Sequence, residues 1–381
     1  MARAYALVPL KSISAPETFA AMTEAKQVLD RGVGTDLQRV SILFGLCSAT
    51  TLMARLQQAF ELAHQIIEVS ERRDDPTHRL VGYRMLGTNQ YYAGQNREAL
   101  ESLQNGKTYR DPSRQRALSY RFGWDPTLAI LSFEGLVRLS LGLLDSAASV
   151  SEQVMSELSK HGHATTVASG TFCAKTWPEL MLGDLEGLER DSSKLLAYCV
   201  AKKVEQIRLL ASYHCAYARA MREPNDDNIA AQRAALDAVL SAGGKVGSSL
   251  HISNLVEVSL IAGHWERAEA DLADGFAFVE QSGERYWLAD LHRLRGQLAL
   301  KQPVPDRSRA EACFTQAIEV ARRQDARLLE LRAAIDLARF WRDVRADNDP
   351  HALLLPILSE IEGGETARDV RNARNLLDRR A

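Results

Sequence analysis

The stretch Gly283–Leu300, GERYWLADLHRLRGQLAL, reads as a single helix with a glycine, Gly296, set near its centre. Inside an exposed helix a glycine costs about 1 kcal/mol relative to alanine, so its missing side chain must serve a purpose. After a proline-broken gap follows RAEACFTQAIEVARRQ (Arg309–Gln324), a second amphipathic run with a small residue, Ala310, near its start. Two helices that turn small residues toward each other can approach closely, because interaxial distance falls with side-chain size. Gly296 is therefore expected to face the helix around Ala310.

The pattern repeats along the chain. Steps of 40 residues backward from Gly296 reach Val256, Ala216 and Thr176; steps of 41, 48 and 40 then reach Gly135, Gly87 and Cys47, and a forward step of 42 reaches Ala338. All but Val256 are small. A second ladder runs through Ala59, Ala99, Ala147, Leu188, Ala230, Ala268, Ala310 and Ala352. Between the ladders Gly94, Gly142, Gly183 and Gly263 mark turns, each closing a first helix and opening a second. Breaks such as RRDDP, YRDPSR, REPNDD, QPVPD and RADNDP punctuate the helices, and alternating β-branched runs are nearly absent. The expectation is an all-α fold: a right-handed α-solenoid of about eight helical hairpins with a period of about 40 residues, each packed mainly on its neighbours. It is read as one array over 1–381, with an incomplete first unit at 1–34 (APETFAAMTEAKQVLDRG looks like a second helix without its first), central repeats at 35–350 and closing helices at 351–381.

Composition agrees and excludes several function classes. The 381 residues are 46% hydrophobic and 25% charged, enough for a sizeable core. Lys and Arg (47) nearly balance Asp and Glu (49), which argues against direct nucleic-acid binding. Cys47, Cys173, Cys199, Cys215 and Cys313 form no CxxC pair and fit a reducing cytoplasm. The opening MARAYALVPLKS is too weakly apolar for a signal peptide, and no apolar run approaches the roughly 20 residues of a membrane span. A cytoplasmic protein without membrane contact is expected.

LGTNQYYAGQNREALESL and VSLIAGHWERAEADL resemble tetratricopeptide repeats: Leu86, Gly87, Gly94 and Ala99 fill the signature in one, Gly263, Trp265 and Ala268 in the other, and Ala310, Phe314 and Ala317 fit the second-helix pattern. GERYWLADLHRLRGQLAL, AEACFTQAIEVARRQDARLLELRAAIDLARFWRD and ALSYRFGWDPTLAILSFEGLVRLSLG are similar to the repeat region of bacterial multidomain signalling regulators. Those join a cyclase-like or winged-helix domain to a signalling ATPase and then to tetratricopeptide repeats. The likeness spans roughly Glu17 to Leu377 and lacks the cyclase, DNA-binding and ATPase parts. It implies a setting in signal transduction or transcriptional regulation.

Catalytic chemistry is not apparent. GGKVGSS (Gly243–Ser249) imitates a phosphate loop, but Val246 follows the lysine and no strand precedes it, so it reads as an inter-repeat turn. His161 and His163 of HGH lack a completing ligand cluster and read as a solvated loop; His292 reads as packed, and Cys173 and Cys215 as structural thiols. In RFGWDP, Asp125 reads as the cap of a helix beginning at Pro126. RDVRNARNLLDRRA reads as an amphipathic closing helix. No metal or cofactor is expected.

In repeat arrays the first helices line the concave face. Arg84, Tyr91, Tyr213, Tyr217, Asn254, Arg293 and Arg332 lie near the small-residue ladder but turned away from it, and are taken as the ligand- or partner-binding candidates. The competing reading makes Tyr213 and Tyr217 inter-repeat packing and the arginines solvated. Three functions follow in order: a non-enzymatic scaffold or sensor holding a protein segment, or a small regulatory ligand, in a concave groove; an adaptor docking end-on to a separately encoded cyclase or ATPase partner; and, most remotely, an enzyme.

Overall fold

The computed structural model describes residues 13–111, 113, 115–344 and 348–378; the stretch weighed against a signal peptide lies outside the described residues. After α1 (Pro16–Asp30) come eight helical hairpins. These pair α2 (Asp36–Leu52) with α3 (Leu56–Arg73), and α4 (Pro76–Tyr92) with α5 (Asn96–Lys107). After a short helix, α6 (Gln115–Phe122), they pair α7 (Pro126–Ser140) with α8 (Leu144–Leu158). The fourth hairpin sets α9 (Ala164–Thr171) and α10 (Trp177–Leu182), joined by a wide π turn at Phe172–Thr176, against α11 (Leu185–Lys202). The remaining pairs are α12 (Glu205–Arg222) with α13 (Asp226–Ser241), α14 (Ser248–Ala262) with α15 (Trp265–Ser282), α16 (Leu288–Lys301) with α17 (Arg307–Arg323), and α18 (Arg327–Val344) with α19 (Pro350–Ser359). Helix α20 (Arg368–Asp378) closes the array. Among the described residues there is no strand, only one isolated bridge between Leu143 and Glu362.

Local chemistry sets the boundaries. Asp75–Pro76, Asp125–Pro126 and Asp349–Pro350 each start a helix, the carboxylate accepting first-turn N–H groups and the proline occupying a position that needs no donor. Thr35 and Gln38 close a reciprocal capping box on α2. Gly94 and Gly142 turn their hairpins at φ 78° and 82°, a backbone that L side chains resist. The π turn precedes Pro178, whose ring would otherwise press on the carbonyl four residues back.

The ladders do what their spacing implies, with exceptions. A Cβ on Gly296 would lie 2.6 Å from Phe314 Cε1 and 3.1 Å from the Ala310 carbonyl oxygen; one on Gly87 would lie 2.7 Å from Leu103 Cγ and 3.1 Å from the Ala99 oxygen. At Gly135 the nearest atoms are 3.6 Å away, so that hairpin is looser, and Ala216 is only half-buried. The second ladder is the fourth residue of the second helix in α3, α5, α8, α11, α15 and α17. In α13 that residue is the buried Ile229, and Ala230 is exposed; in α19 the inward residue is the fifth, Leu354, and Ala352 faces outward. At both places the sequence reading followed side-chain size where helix phase decides. The 48-residue step between Gly87 and Gly135 is the insertion of α6.

The array winds tightly enough for successive turns to touch. The Leu52 carbonyl at the end of α2 accepts from Lys245 N (2.8 Å) and Val246 N (3.0 Å), just before α14. The Tyr92 carbonyl at the end of α4 accepts from Arg285 N (2.9 Å) and Tyr286 N (3.1 Å), just before α16. Gly142 lies against Arg327 at the start of α18, and Gly183 against Arg368 at the start of α20. Each contact joins one hairpin to the first-helix position five further along. Five hairpins therefore complete a turn, and the second turn sits directly on the first.

Candidate binding surface on the inner face

This closure decides what the first helices face. Tyr91 and Tyr92 from α4, Phe133 from α7, Trp177 from α10 and Tyr286 from the loop before α16 meet where the two turns touch, with Tyr91–Tyr286 and Tyr92–Tyr286 ring centroids 5.2 and 5.5 Å apart. These rings belong to the hydrophobic core. All seven candidates from the sequence are buried: Tyr91 and Tyr213 completely, and Arg84, Tyr217, Asn254, Arg293 and Arg332 at 8% exposure or less. The tyrosines join neighbouring hairpins, since Tyr213 Oη donates to the His251 carbonyl (2.9 Å) and Tyr217 Oη to Glu257 (3.0 Å). The arginines are not solvated, as the competing reading had them.

Two of those arginines are fully answered by acids. Arg293 Nε donates to Asp290 (2.6 Å) and Nη1 to Asp336 (3.0 Å). Arg332 Nε donates to Asp369 (2.9 Å) and Nη2 to the Met181 carbonyl (2.6 Å), with Asp290 a further 3.8 Å from Nη1. Burial opposes every charge here. Even so, Arg293 and Arg332 hold Asp290 down to about 2, and the acids keep both arginines above their usual range. The network ties α16, α18, α20 and the end of α10 together, and it offers a ligand no free charge.

Arg84 differs. It is 7% exposed, and its Nε and Nη1 have no hydrogen-bond partner. Its guanidinium carbon lies 5.4 Å from the Phe44 ring centre and 5.0 Å from that of Trp124. Burial lowers its pKa to about 10, which leaves it charged at neutral pH. The nearby acid makes no hydrogen bond to it: Asp125 Oδ1 caps α7 through Thr127 N (2.8 Å) and Leu128 N (3.1 Å), while Oδ2, 3.7 Å from His161 Nε2, is buried without a hydrogen-bond partner and its charge acts on Arg84 from a distance. A sequence signal separates these arginines. Arg293 follows its partner Asp290 by three residues, whereas Leu80, Val81, Gly87 and Thr88, three and four residues from Arg84, carry no charge; the partner of Arg332, Asp369, is 37 residues away and gives no such local signal.

The other motifs are absorbed by structure. In GGKVGSS the amides of Gly247 (2.7 Å) and Ser249 (3.0 Å) and the Ser249 hydroxyl (2.7 Å) donate to the carboxylate of Glu284. The anion on this turn thus belongs to the chain itself, and burial pushes its pKa up to about 7 against those hydrogen bonds. His163 is a helix cap, its Nδ1 accepting from Thr166 N (3.3 Å), and His161 is mostly enclosed beside Asp125; neither is the solvated residue expected. His292 packs edge-on against Phe276, and burial lowers its pKa to about 4. Burial raises the Cys173 thiol to about 12 and Cys215 above its ordinary value, the reverse of an activated nucleophile.

No protein-family model matches the chain, and no curated protein matches it. Solved structures do. A Rap protein complexed with competence and sporulation factor superposes with a TM-score of 0.62 at 10% identity, over 99% of this chain and 97% of that one. Aspartyl phosphate phosphatase F from Bacillus subtilis gives 0.49 at 13% identity, over 91% and 90% of the two chains. A tetratricopeptide repeat protein from Parabacteroides merdae gives 0.37 at 17% identity, over 77% and 99%. The first of these likenesses extends along both chains nearly whole, and it shows that this chain has the helical-repeat fold.

Proposed function

We propose that the chain is a non-enzymatic binding scaffold whose inner face recognises a protein segment or a small regulatory ligand, in signalling or transcriptional control. The observation that carries this reading is Arg84, a buried cation with no hydrogen-bonded anion, where Arg293 and Arg332 each bond to acids. Native structures leave few buried polar groups unsatisfied, and each such group asks for an occupant. The fold likeness to a Rap protein solved with a bound factor supports a ligand held by the array. Burial raises the Cys173 and Cys215 thiols, which speaks against either as a nucleophile. The resemblance to the repeat regions of bacterial regulators supplies the cellular setting. Affinity purification of the tagged chain, with mass spectrometry of bound proteins and metabolites, supplies the test. A partner or metabolite whose calorimetric affinity drops with Arg84→Met is expected; catalytic turnover of a co-purifying compound would overturn the reading.

End-on docking to a separately encoded cyclase- or ATPase-bearing partner is a second reading. Val28, Val33 and Leu37 favour it, exposing 42%, 58% and 51% of their surface at the amino-terminal end of the array. Removing residues before Asp36 would abolish binding of that kind and leave inner-face binding intact.

A further inference from the structure

We infer that Arg84 is a carboxylate-binding site walled by Phe44 and Trp124, taking a ligand that carries its carboxylate on an aromatic or apolar body. This rests on the scaffold reading and specifies the ligand's chemistry. Of the three buried arginines singled out in the sequence, two are saturated by Asp290, Asp336 and Asp369. The third is enclosed just as thoroughly, yet ring faces and the charge of the nearby Asp125 meet it without a hydrogen bond. Cation–π contact offsets part of the loss of water, and a guanidinium left without an anion remains unfavourable.

The segment RFGWDP builds the wall. Phe122 packs edge-on against Phe44 with ring centres 4.9 Å apart, and Asp125 fixes the start of α7. Between them Gly123 turns at φ 79° with nothing within 4 Å of where its Cβ would be. Trp124, over whose ring Arg84 lies, is half-buried and follows this open turn directly, so it is the side chain that the ligand would displace. The neighbouring Leu37 and Tyr120, 51% and 65% exposed, extend the apolar surface outward. Arg121 lies over the outer side of this wall, 5.0 Å from the Phe122 ring centre, and donates to Ser41 Oγ (3.1 Å); the single planar guanidinium of Arg84 behind the wall matches a planar monoanion better than a phosphate, which gathers several donors. An aromatic body would replace the ring contacts that Trp124 gives up.

The test uses the full chain with benzoate as probe, its neutral isostere benzamide and inorganic phosphate as controls, read by calorimetry and by tryptophan fluorescence. Benzoate should bind saturably, with at least about a tenfold preference over benzamide and over phosphate. Arg84→Met should lose that preference while keeping its helical circular dichroism, since it removes an unpaired buried charge; Arg84→Lys should retain part of it. Equal binding of benzoate by wild type and Arg84→Met, no binding by wild type, or tighter binding of phosphate would each overturn the assignment. If benzoate fails while a co-purified partner still requires the inner face, this inference falls and the scaffold reading stands. If benzoate binds through Arg84 but a co-purified compound is turned over, the scaffold reading falls alone.

Discussion

Adding one methyl group at Gly135 and one at Gly296 should move stability in opposite directions. Both glycines sit inside first helices, so replacement by alanine brings the same gain in helix propensity, about 1 kcal/mol. Their surroundings differ. The new Cβ at Gly135 meets nothing nearer than 3.6 Å, ordinary contact, so Gly135→Ala should keep the whole gain. At Gly296 it meets the ring of Phe314 at 2.6 and 2.7 Å and the Ala310 backbone oxygen at 3.1 Å. Phe314 is 1% exposed and cannot swing away, and the carbonyl belongs to α17 itself, so the helices must separate. Overpacking of this kind costs about 1–3 kcal/mol, which leaves Gly296→Ala neutral to about 2 kcal/mol less stable than wild type and Gly135→Ala about 1 kcal/mol more stable. Urea denaturation ranks the variants, and hydrogen exchange locates the damage, which should begin in α16 and α17 because repeat arrays share energy mainly between neighbours. If Gly296→Ala proved as stable as Gly135→Ala, the small-residue ladder would not set the helix spacing.

Two further outcomes follow from buried charge. Glu284 has its carboxyl raised from 4.5 to about 7 by burial. The folded state therefore holds this proton more tightly than the unfolded chain, so the contribution is complete below about pH 4.5 and is lost as pH rises toward 7. Relative to Glu284→Gln, wild type should lose up to about 3 kcal/mol across that window in urea titrations, and a difference independent of pH would refute it. Asp290→Asn leaves Arg293 and Arg332 one buried counter-charge short and should cost about 3–5 kcal/mol, whereas Arg97→Ala, which breaks a pair whose arginine is 71% exposed, should cost no more than about 1 kcal/mol in the same denaturation assay.

The hairpins were legible because their cause is local. Gly94 and Gly142 announce turns by the backbone only glycine accepts easily, Asp125–Pro126 announces a helix start, and Gly296 with Ala310 announces a close crossing within a single hairpin. The packing of one turn on the next was not legible. It depends on contacts such as Arg97 with Asp325 and Asn96 with Gln324, each 228 residues apart in sequence, and no period in the chain reports the pitch that brings them together. Pitch is the sum of small crossing angles over five hairpins, and each angle depends on details such as the looser fit at Gly135 or the isoleucine that fills the α13 position. Without the pitch, a first-helix arginine looks solvated. With it, the same residue is buried and must find an acid.

That requirement explains the composition of the inner face. Aromatic contacts alone would leave the first helices without a directional side-chain bond from one superhelical turn to the next. The donors of Arg293 and Arg332 are directional: each reaches a particular oxygen on a different helix, Asp336 on α18, Asp369 on α20 and the Met181 carbonyl at the end of α10. Sliding the turns would strand buried charges, so these bonds fix the register of α10, α16, α18 and α20, whatever their net worth to stability. Arg84 stands on the same face with the same burial and bonds to none of these helices. A register role cannot account for it, because it specifies no partner in the chain. Its unpaired donors are what the outside ligand proposed above would engage.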